Sequence, residues 1–334
     1  MSIRQVAARA GVSPATVSRV FTQPDAVAAG TRRRVEAAAG ELGYTPNPIA
    51  RSLARGRTRN LGIVVPDIAN SFCAVITKAV QHEALREDYA LFIAGSDHRP
   101  EEEYRLARAL APQVDGLLMI TPSMPDERFP EISALTPLAV LNREIAGCPA
   151  TLIPSADGMT QAVEHLDALG HREIAYLTGP PAYSNAAREG GFRAACERLA
   201  VAGTVIDLGD SRFSAGVRAG DLVLAGRFTA VVAYNDEVAV GVMNRLAHRD
   251  VDVPRDVSVI GFDDTGLADM VTPLLTTVRL PATTAGAAAV RMLLDLIDGR
   301  DGAADVRLRL DTELIIRSTT APAAVSGRPN GGGG

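Results

Sequence analysis

The first twenty residues place apolar side chains with the period of a helix. Ile3, Val6, Ala7 and Ala10 recur at i, i+3, i+4 and i+7, the stripe of a short amphipathic helix. Gly11 ends it, being free to take φ > 0. Ser13 is then an N-cap candidate with Pro14 at the first helical position, so a second helix begins there and buries Val17 and Val20 against the first. Two helices joined this way form a helix-turn-helix or, on the plainer reading, an αα-hairpin of a helical core. The second helix turns Pro14, Ala15, Thr16, Ser18 and Arg19 outward, a surface of small residues, hydroxyls and one guanidinium that suits a DNA groove. After a loop holding Pro24 and Gly30, the positions Val35, Ala38, Ala39 and Leu42 predict a third helix over 31–42, closed by Gly43. Arg32, Arg33 and Arg34 crowd its first turn, where the helix dipole disfavours cations; a nearby phosphate would relieve that conflict.

Residues 44–48 read as an extended linker, because a residue before proline is pushed out of the α region. The next segment, IARSLARGR, offers two helical turns, below the ~12 residues at which an isolated helix becomes even marginal. From Leu61 the pattern changes to short apolar runs: LGIVV, YALFIAG, DGLLMI and PLAVL, then a second series of ATLI, EIAYLTG, TAVVAY and VSVIGF. Helical stretches alternate with them, over 74–87, 101–111 and 126–135 in the first series and 158–169, 186–199, 215–225 and 237–249 in the second. Such alternation implies parallel sheets covered on both faces, two doubly wound units in all. Ligands bind such sheets at the carboxyl ends of the strands. Asp67, Asn70 and Phe72 lie just past the first strand, and Asn142 and Arg143 follow the fourth.

Composition sharpens this division. The net charge of -5 argues against nucleic acid, but residues 1–60 hold ten arginines against Asp25, Glu36 and Glu41, or +7, which leaves -12 on the rest. A basic arm on an acidic body is the footprint of phosphate binding; a solvated basic face explains the sign but not its confinement to one end. Cys73, Cys148 and Cys196 form no C-x-x-C, so each reads as a small buried hydrophobe in a reducing cytoplasm. No signal peptide precedes the first helix, and no apolar run reaches the ~18 residues of a membrane span. The tail TTAPAAVSGRPNGGGG carries no leucine heptads and reads as disordered.

The segments IRQVAARAGVSPATVSRV and TRRRVEAAAGELGYTPNPIARSLARGRT, followed in order by YNDEVAVG (234–241), VPRDVSVIGFDD (253–264) and TPLLTTVRLP (272–281), resemble the lactose/galactose repressor family of bacterial transcription regulators. The resemblance runs to about Ser318. It implies an α/β protein with an all-α helix-turn-helix headpiece over 1–45 and a linker with hinge helix over 46–59. It further implies a core over 60–318 of two doubly wound parallel-sheet subdomains of the periplasmic-binding-protein-like type I. The first would span about 60–155 plus 280–306, the second about 156–279 plus 307–318, with a tail over 319–334.

The same resemblance implies the roles. Leu53 of the hinge helix would wedge into the minor groove, with Ala50 packed beside it, Arg51 and Arg55 near phosphates, and Asn47 and Arg32 as further DNA contacts. A homodimer would bind a palindromic operator in double-stranded DNA. A sugar or related polar metabolite would bind between the subdomains, where Arg188, Phe213, Asn235 and Asp263 match the family's effector contacts. Asp67, Asn70, Phe72, Cys73 and Arg143 would complete that site. Phe213 can also be read as core, and Asp236 and Asp264 as turn formers or helix caps. Cys73 departs from the family, many of whose members have a second aromatic there. Pro14 and Ala15 replace larger polar residues, so base contacts would rest on Arg19 and Thr16, with guanine the partner of Arg19. A cytoplasmic regulator without cofactor, metal or membrane association is the expected whole.

Two other classes share parts of this reading. A transport solute-binding protein has the same core, but the arginine-rich headpiece opposes it. An enzyme of doubly wound type lacks its motifs here: no G-x-G-x-x-G follows a strand and no G-x-S-x-G is present. The five histidines show no metal spacing, and His165 and His171 read as exposed residues at a helix end.

Overall fold

The computed structural model describes residues 2–22, 24–44 and 57–323. Three helices open the chain: α1 (Ile3–Ala10), α2 (Pro14–Thr22) and α3 (Ala29–Glu41). Their ends are held by local groups. The Ser2 N–H donates to Gln5 Oε1 at 2.8 Å, Gly11 takes φ +65° beyond α1, and Ser13 Oγ accepts the Thr16 N–H at 3.1 Å to start α2. Val6, Ala7, Ala10, Val17, Val20, Val35, Ala38 and Ala39 then bury together as a core of their own. Helix α3 starts two residues earlier than the apolar spacing predicts, with Ala28 an N-cap that makes no side-chain bond. Arg33 and Arg34 therefore fall past its first turn, and Arg32 faces Asp25 at 3.8 Å and Glu36 at 3.9 Å, so acidic neighbours ease the dipole conflict from within. The linker and hinge residues named above, Asn47, Ala50, Arg51, Leu53 and Arg55, lie outside the described residues.

Two six-stranded sheets follow. The first contains β1 (Asn60–Val65), β2 (Ala90–Gly95), β3 (Gly116–Ile120), β4 (Leu138–Leu141), β5 (Ala150–Leu152) and β11 (Arg307–Arg309). The second contains β6 (Glu173–Thr178), β7 (Ala202–Asp207), β8 (Ala230–Ala233), β9 (Ser258–Asp263), β10 (Thr276–Arg279) and β12 (Glu313–Ile315). Every pairing is parallel except that of β12 with β10. Helices α4 (Ser71–Arg86), α5 (Pro100–Leu110), α6 (Phe129–Ser133) and α11 (Ala282–Ile297) belong to the first lobe. Helices α7 (Ser155–Ala168), α8 (Tyr183–Leu199), α9 (Phe213–Ala225) and α10 (Asp236–Ala247) belong to the second. The strand order is β2-β1-β3-β4-β5-β11 in one sheet and β7-β6-β8-β9-β10-β12 in the other. Each order reverses direction after its first strand, and the crevice of each sheet lies at that switch point, beyond the strand ends.

Several boundaries differ from the sequence expectation. ATLI, placed in the second series, is β5 of the first sheet, and β11 also pairs there, beside β5. The chain therefore crosses between lobes at 153–154, at 280–281 and at 310–312, not at 306. Strands β7, β10, β11 and β12 and helix α11 were not anticipated. The stretch 126–135 is a 3₁₀ turn followed by the five residues of α6. The second lobe also holds its helices tightly. A Cβ on Gly216 would lie 2.1 Å from the Val238 carbonyl oxygen, and one on Gly241 would lie 2.2 Å from that of Phe213, so α9 and α10 touch backbone to backbone only because both are glycine.

Residues 319–323, expected to begin a disordered tail, are held against the second lobe, and the rest of that expected tail lies outside the described residues. Thr319 is 0% exposed; its Oγ1 donates to the Val259 carbonyl at 2.6 Å and accepts the Thr276 N–H at 2.8 Å. The Ala323 N–H donates to the Leu169 carbonyl at 2.9 Å. This strap covers His171, which is buried and not exposed as expected, with Nδ1 at 2.9 Å from Thr229 Oγ1 and Nε2 at 3.0 Å from the Ala321 carbonyl. The three cysteines are buried thiols. Among the described residues no helix is long and apolar enough to cross a membrane.

Candidate functional site

The second lobe supplies an ion pair that is out of water. Arg188 of α8 is 4% exposed and Asp263, at the end of β9, is 7% exposed. Arg188 Nη2 donates to Asp263 Oδ1 at 3.2 Å and Nη1 to the Tyr234 carbonyl at 2.6 Å, while the guanidinium lies 4.0 Å over the Phe262 ring and 5.0 Å from the Tyr234 ring. Gly179 lets the Tyr234 ring approach, since a Cβ there would come within 2.6 Å of it. Asp263 and Asp264 have φ of +103° and +53°, a strained region for residues other than glycine. What holds the turn is Asp236, the first residue of α10. Its carboxylate accepts the Thr265 N–H at 2.6 Å, the Thr265 hydroxyl at 3.0 Å and the Thr277 hydroxyl at 2.5 Å. Asp264 accepts from Arg279 at 2.7 Å and Arg317 at 2.8 Å. Burial pushes the Asp263 carboxyl up to about 7 against the pull of Arg188, and burial pushes Asp236 up to about 6.

The first lobe faces this pair with a different kind of wall. Phe72 and Cys73 are buried at the start of α4, and desolvation raises the Cys73 thiol to about 12, so it acts as an apolar surface. Asn70 caps α4, its Oδ1 accepting the Cys73 N–H at 3.1 Å. Asp67 accepts the Ala69 N–H at 2.8 Å and approaches Arg212 of the other lobe at 4.0 Å. Thr121 follows β3 at φ +42°. Its loop is fixed by two groups, the buried Glu103 and the half-buried Arg143. Glu103 accepts the Ser123 N–H at 3.0 Å and the Met124 N–H at 3.3 Å, and Arg143 donates to the Pro122 carbonyl at 3.1 Å and the Met124 carbonyl at 2.7 Å.

Between these walls lies a cavity of about 30 Å³, lined by Asn70, Phe72, Cys73, His98, Thr121, Asn142, Ser184, Arg188, Tyr234 and Asp263 among others. Wider recesses of about 320 Å³ and 220 Å³ adjoin it, the first sharing Phe72 and Asp263 and the second Asn142 and Ser184. His98 Nε2, Asn142 Nδ2 and Arg188 Nε are buried without a hydrogen-bond partner among the described residues, and all three residues line the same cavity. Buried polar atoms are normally satisfied, so unpaired donors and acceptors converging on one space mark a polar binding site.

The structure therefore brings together Asn70, Phe72, Cys73, Arg188 and Asp263, with Asp67 at the rim, and sets apart three other expected contacts. Asn235 is a helix cap: its Oδ1 accepts the Val238 N–H at 2.9 Å and its Nδ2 donates to the Ser211 carbonyl at 3.0 Å. Arg143 is held by the loop it fixes and stacks on Phe129 and, across the cleft, on Tyr183 at 5.8 Å. Phe213 is not core; it is 40% exposed at the start of α9. Sequence reasoning missed His98, Thr121, Ser184 and Tyr234. All follow apolar strand runs closely, which was the available signal.

The headpiece presents its own surface. Pro14, Ala15 and Arg19 are exposed on α2, whereas Thr16 and Ser18 are half-buried and the Thr16 hydroxyl lies 2.9 Å from Ser13 Oγ. Arg9 pairs with Glu41 at 2.6 Å, while Arg4, Arg19, Arg33 and Arg34 carry no ion pair among the described residues. A helix with a free guanidinium on a basic three-helix body has the charge and shape to enter a major groove.

Residues 2–47 match the family described as bacterial regulatory proteins, lacI family, and residues 163–320 match the periplasmic binding protein-like domain. The HTH-type transcriptional repressor CytR of Escherichia coli (strain K12) is 33% identical over 328 residues, covering 96% of each chain. The crystal structure of the lac repressor dimer bound to operator and the anti-inducer ONPF superposes with a TM-score of 0.86 at 29% identity, over 96% of this chain and 99% of that one. The complex of the transcriptional regulator CelR with cellobiose superposes with a TM-score of 0.70 at 30% identity, again over 96% and 99%.

Proposed function

The chain belongs to the lacI family of bacterial regulatory proteins, and from that premise we propose that it is a homodimeric repressor whose operator affinity is set by a sugar or related polyhydroxyl metabolite held between its lobes. The observation that carries the ligand half is the convergence of the buried Arg188–Asp263 pair with three unpartnered polar atoms on one interlobe cavity. A carboxylate accepts and a guanidinium donates to vicinal hydroxyls, and Phe72, Tyr234 and the Cys73 thiol give the apolar walls against which a sugar ring packs. The cellobiose bound by a relative similar over nearly the whole chain supports that class. The operator-bound lac repressor dimer supports the homodimer, and a palindromic site follows from its two-fold symmetry. Operation on chromosomal DNA supports a cytoplasmic location.

A cavity of about 30 Å³ holds roughly one water-sized group, far below the ~300 Å³ of ordinary ligand pockets. For a sugar to pass from the adjoining recesses to the Arg188–Asp263 pair, the lobes separate about their three crossing segments, breaking the Asp67–Arg212 approach and the stacking of Arg143 on Tyr183. That motion is the means by which ligand and DNA sense one another. The test is a thermal-shift screen of monosaccharides, disaccharides, sugar phosphates and nucleosides, followed by a gel shift on the DNA upstream of the protein's own gene. A binder at 100 times its Kd adds ~2.7 kcal/mol to native stability and should change the retarded fraction. If no polyhydroxyl compound moves either signal, the ligand half is wrong; if no duplex is retarded at low salt, the DNA half is wrong.

A further inference from the structure

The chain enters its first lobe through residues that are tied down by two carboxylates. Asp115 Oδ1 accepts the Thr58 N–H at 2.6 Å and the Thr58 hydroxyl at 2.8 Å, Oδ2 accepts the Arg59 N–H at 3.0 Å, and the Asp115 N–H donates to the Asn60 carbonyl at 2.8 Å. Arg57 pairs with Asp298 at 2.9 Å and donates to the Ile297 carbonyl at 3.3 Å. Arg59 donates to the Glu87 carbonyl at 3.2 Å, lies 5.1 Å over the Tyr89 ring and holds φ at +58°. Helix stability does not explain Asp298, because it caps the C-terminus of α11, where the dipole disfavours a carboxylate unless a cation comes to it. Both carboxylates flank elements whose other ends reach the cleft: Asp115 precedes β3, which Thr121 follows, and Asp298 follows α11, which begins at Ala282. Leu293 and Ile297 of α11 also pack onto Gly116 of β3 so closely that a Cβ there would meet them at 2.8–2.9 Å.

We propose that Asp115 and Asp298 are positioning residues for DNA recognition: they fix the point from which each headpiece is tethered, and so limit the half-site spacings that the homodimer accepts. This rests on the reading of the chain as a dimer on paired half-sites. Length decides the matter. Freeing residues 57–59 adds three residues to each tether, about 10 Å at full extension. One base pair advances the duplex by about 3.4 Å. Loss of the clamp thus adds roughly three base pairs to the reach of each headpiece, a reach that the intact clamp withholds.

The experiment uses the full chain and a pool of random-sequence duplexes, enriched by binding and sequenced. Wild type should enrich inverted half-sites at one spacing, preferred over the next by at least about tenfold. Asp115→Asn with Asp298→Asn should enrich the same half-sites across three or more spacings, with the preference reduced to under about threefold. Asp298→Asn alone, at a side chain 47% exposed and so without consequence for folding, should already broaden the distribution. Exchanging the charges, Arg57→Asp with Asp298→Arg, should narrow it again. A merely structural role would lower thermal stability and recovery without spreading the spacings. Variants that select the same single spacing as wild type overturn the proposal. Failure of wild type to enrich any paired site would instead remove the dimeric reading beneath it.

Discussion

The two walls of the cleft are built on opposite principles. In the second lobe the polar groups are charged, buried and locked: Arg188 holds Asp263, and Asp236 holds the turn that presents it. In the first lobe the side chains at the cavity are apolar, as Phe72 and Cys73, or neutral with an unpaired atom, as His98 and Asn142. The contrast assigns an order to binding. On the proposed reading, a preorganised charged pair would need no rearrangement to meet hydroxyls, so the second lobe would be the anchor. The first lobe would contribute its unpaired atoms and its apolar face only when the lobes come together, as a cover whose affinity is coupled to closure.

The largest break in this comparison is removal of the anchor. Arg188→Ala leaves Asp263 buried without its partner, a change that costs about 3–5 kcal/mol where such pairs have been cut. Calorimetry should show effector affinity reduced by at least about 100-fold, with operator retardation kept because the headpiece has a separate core. Equal loss of DNA binding would mean that the anchor is a scaffold and not a ligand contact. Asp236→Asn is next. Asn keeps one acceptor but cannot serve three donors, so the Asp263–Thr265 turn relaxes from its left-handed geometry. Effector affinity should fall about tenfold and the melting temperature should drop, each bond to a charged acceptor contributing about 1.5–3 kcal/mol. Unchanged affinity would show that Asp263 is positioned by Arg188 alone.

How much of this was legible follows from the same contrast. The structure brings Arg188 and Asp263 together as expected: Asp263 stands in VPRDVSVIGFDD, one of the motifs that resemble a known family, whereas Arg188 stands in none of them and was named only by its position in the resemblance. His98 and Thr121 stand alone after their strands, and nothing in a single sequence distinguishes a cavity-lining threonine from a loop threonine. Asn235 was legible in another sense: Asn followed by Asp-Glu ahead of an apolar run is an N-cap signal, and the structure uses it as one. Strand β7 was missed because it is an edge strand with most of its residues exposed and no apolar run. Helix α11 was missed because it is alanine-rich and buried on a broad face, which blurs the polar stripe. Which sheet the three residues of β5 would join depends on partners far away in the chain, and local pattern carries no trace of that.

Acidity separates the walls by charge. Burial raises Asp263 to about 7, so below that pH it holds a proton in the folded protein that the unfolded chain, with an aspartate near 3.9, has already released. Asp236 behaves alike, to about 6. The sign is therefore that these two groups take stability away from the empty protein as pH rises from about 4 through 7. A ligand hydroxyl that donates to ionised Asp263 reverses this. Effector affinity should rise by up to about tenfold between pH 6 and pH 8 in wild type and stay flat in Asp263→Asn. A flat wild-type profile would place the ligand on the neutral wall.

The smallest effect should come from the cover. Thr121 is β-branched at φ +42°, a conformation that persists only because Glu103 and Arg143 hold the following loop from both sides. Thr121→Val keeps the branching and the volume, so the backbone strain and its supports are unchanged and only the hydroxyl is lost. One neutral hydrogen bond is worth about 0.5–1.5 kcal/mol net, which predicts an effector affinity roughly three- to tenfold weaker with the melting temperature and pH profile of wild type. Because the first lobe engages only on closure, the loss should appear as faster effector dissociation with the association rate kept. A slower association rate in Thr121→Val would assign first contact to the first lobe and invert the order of binding argued from the two walls.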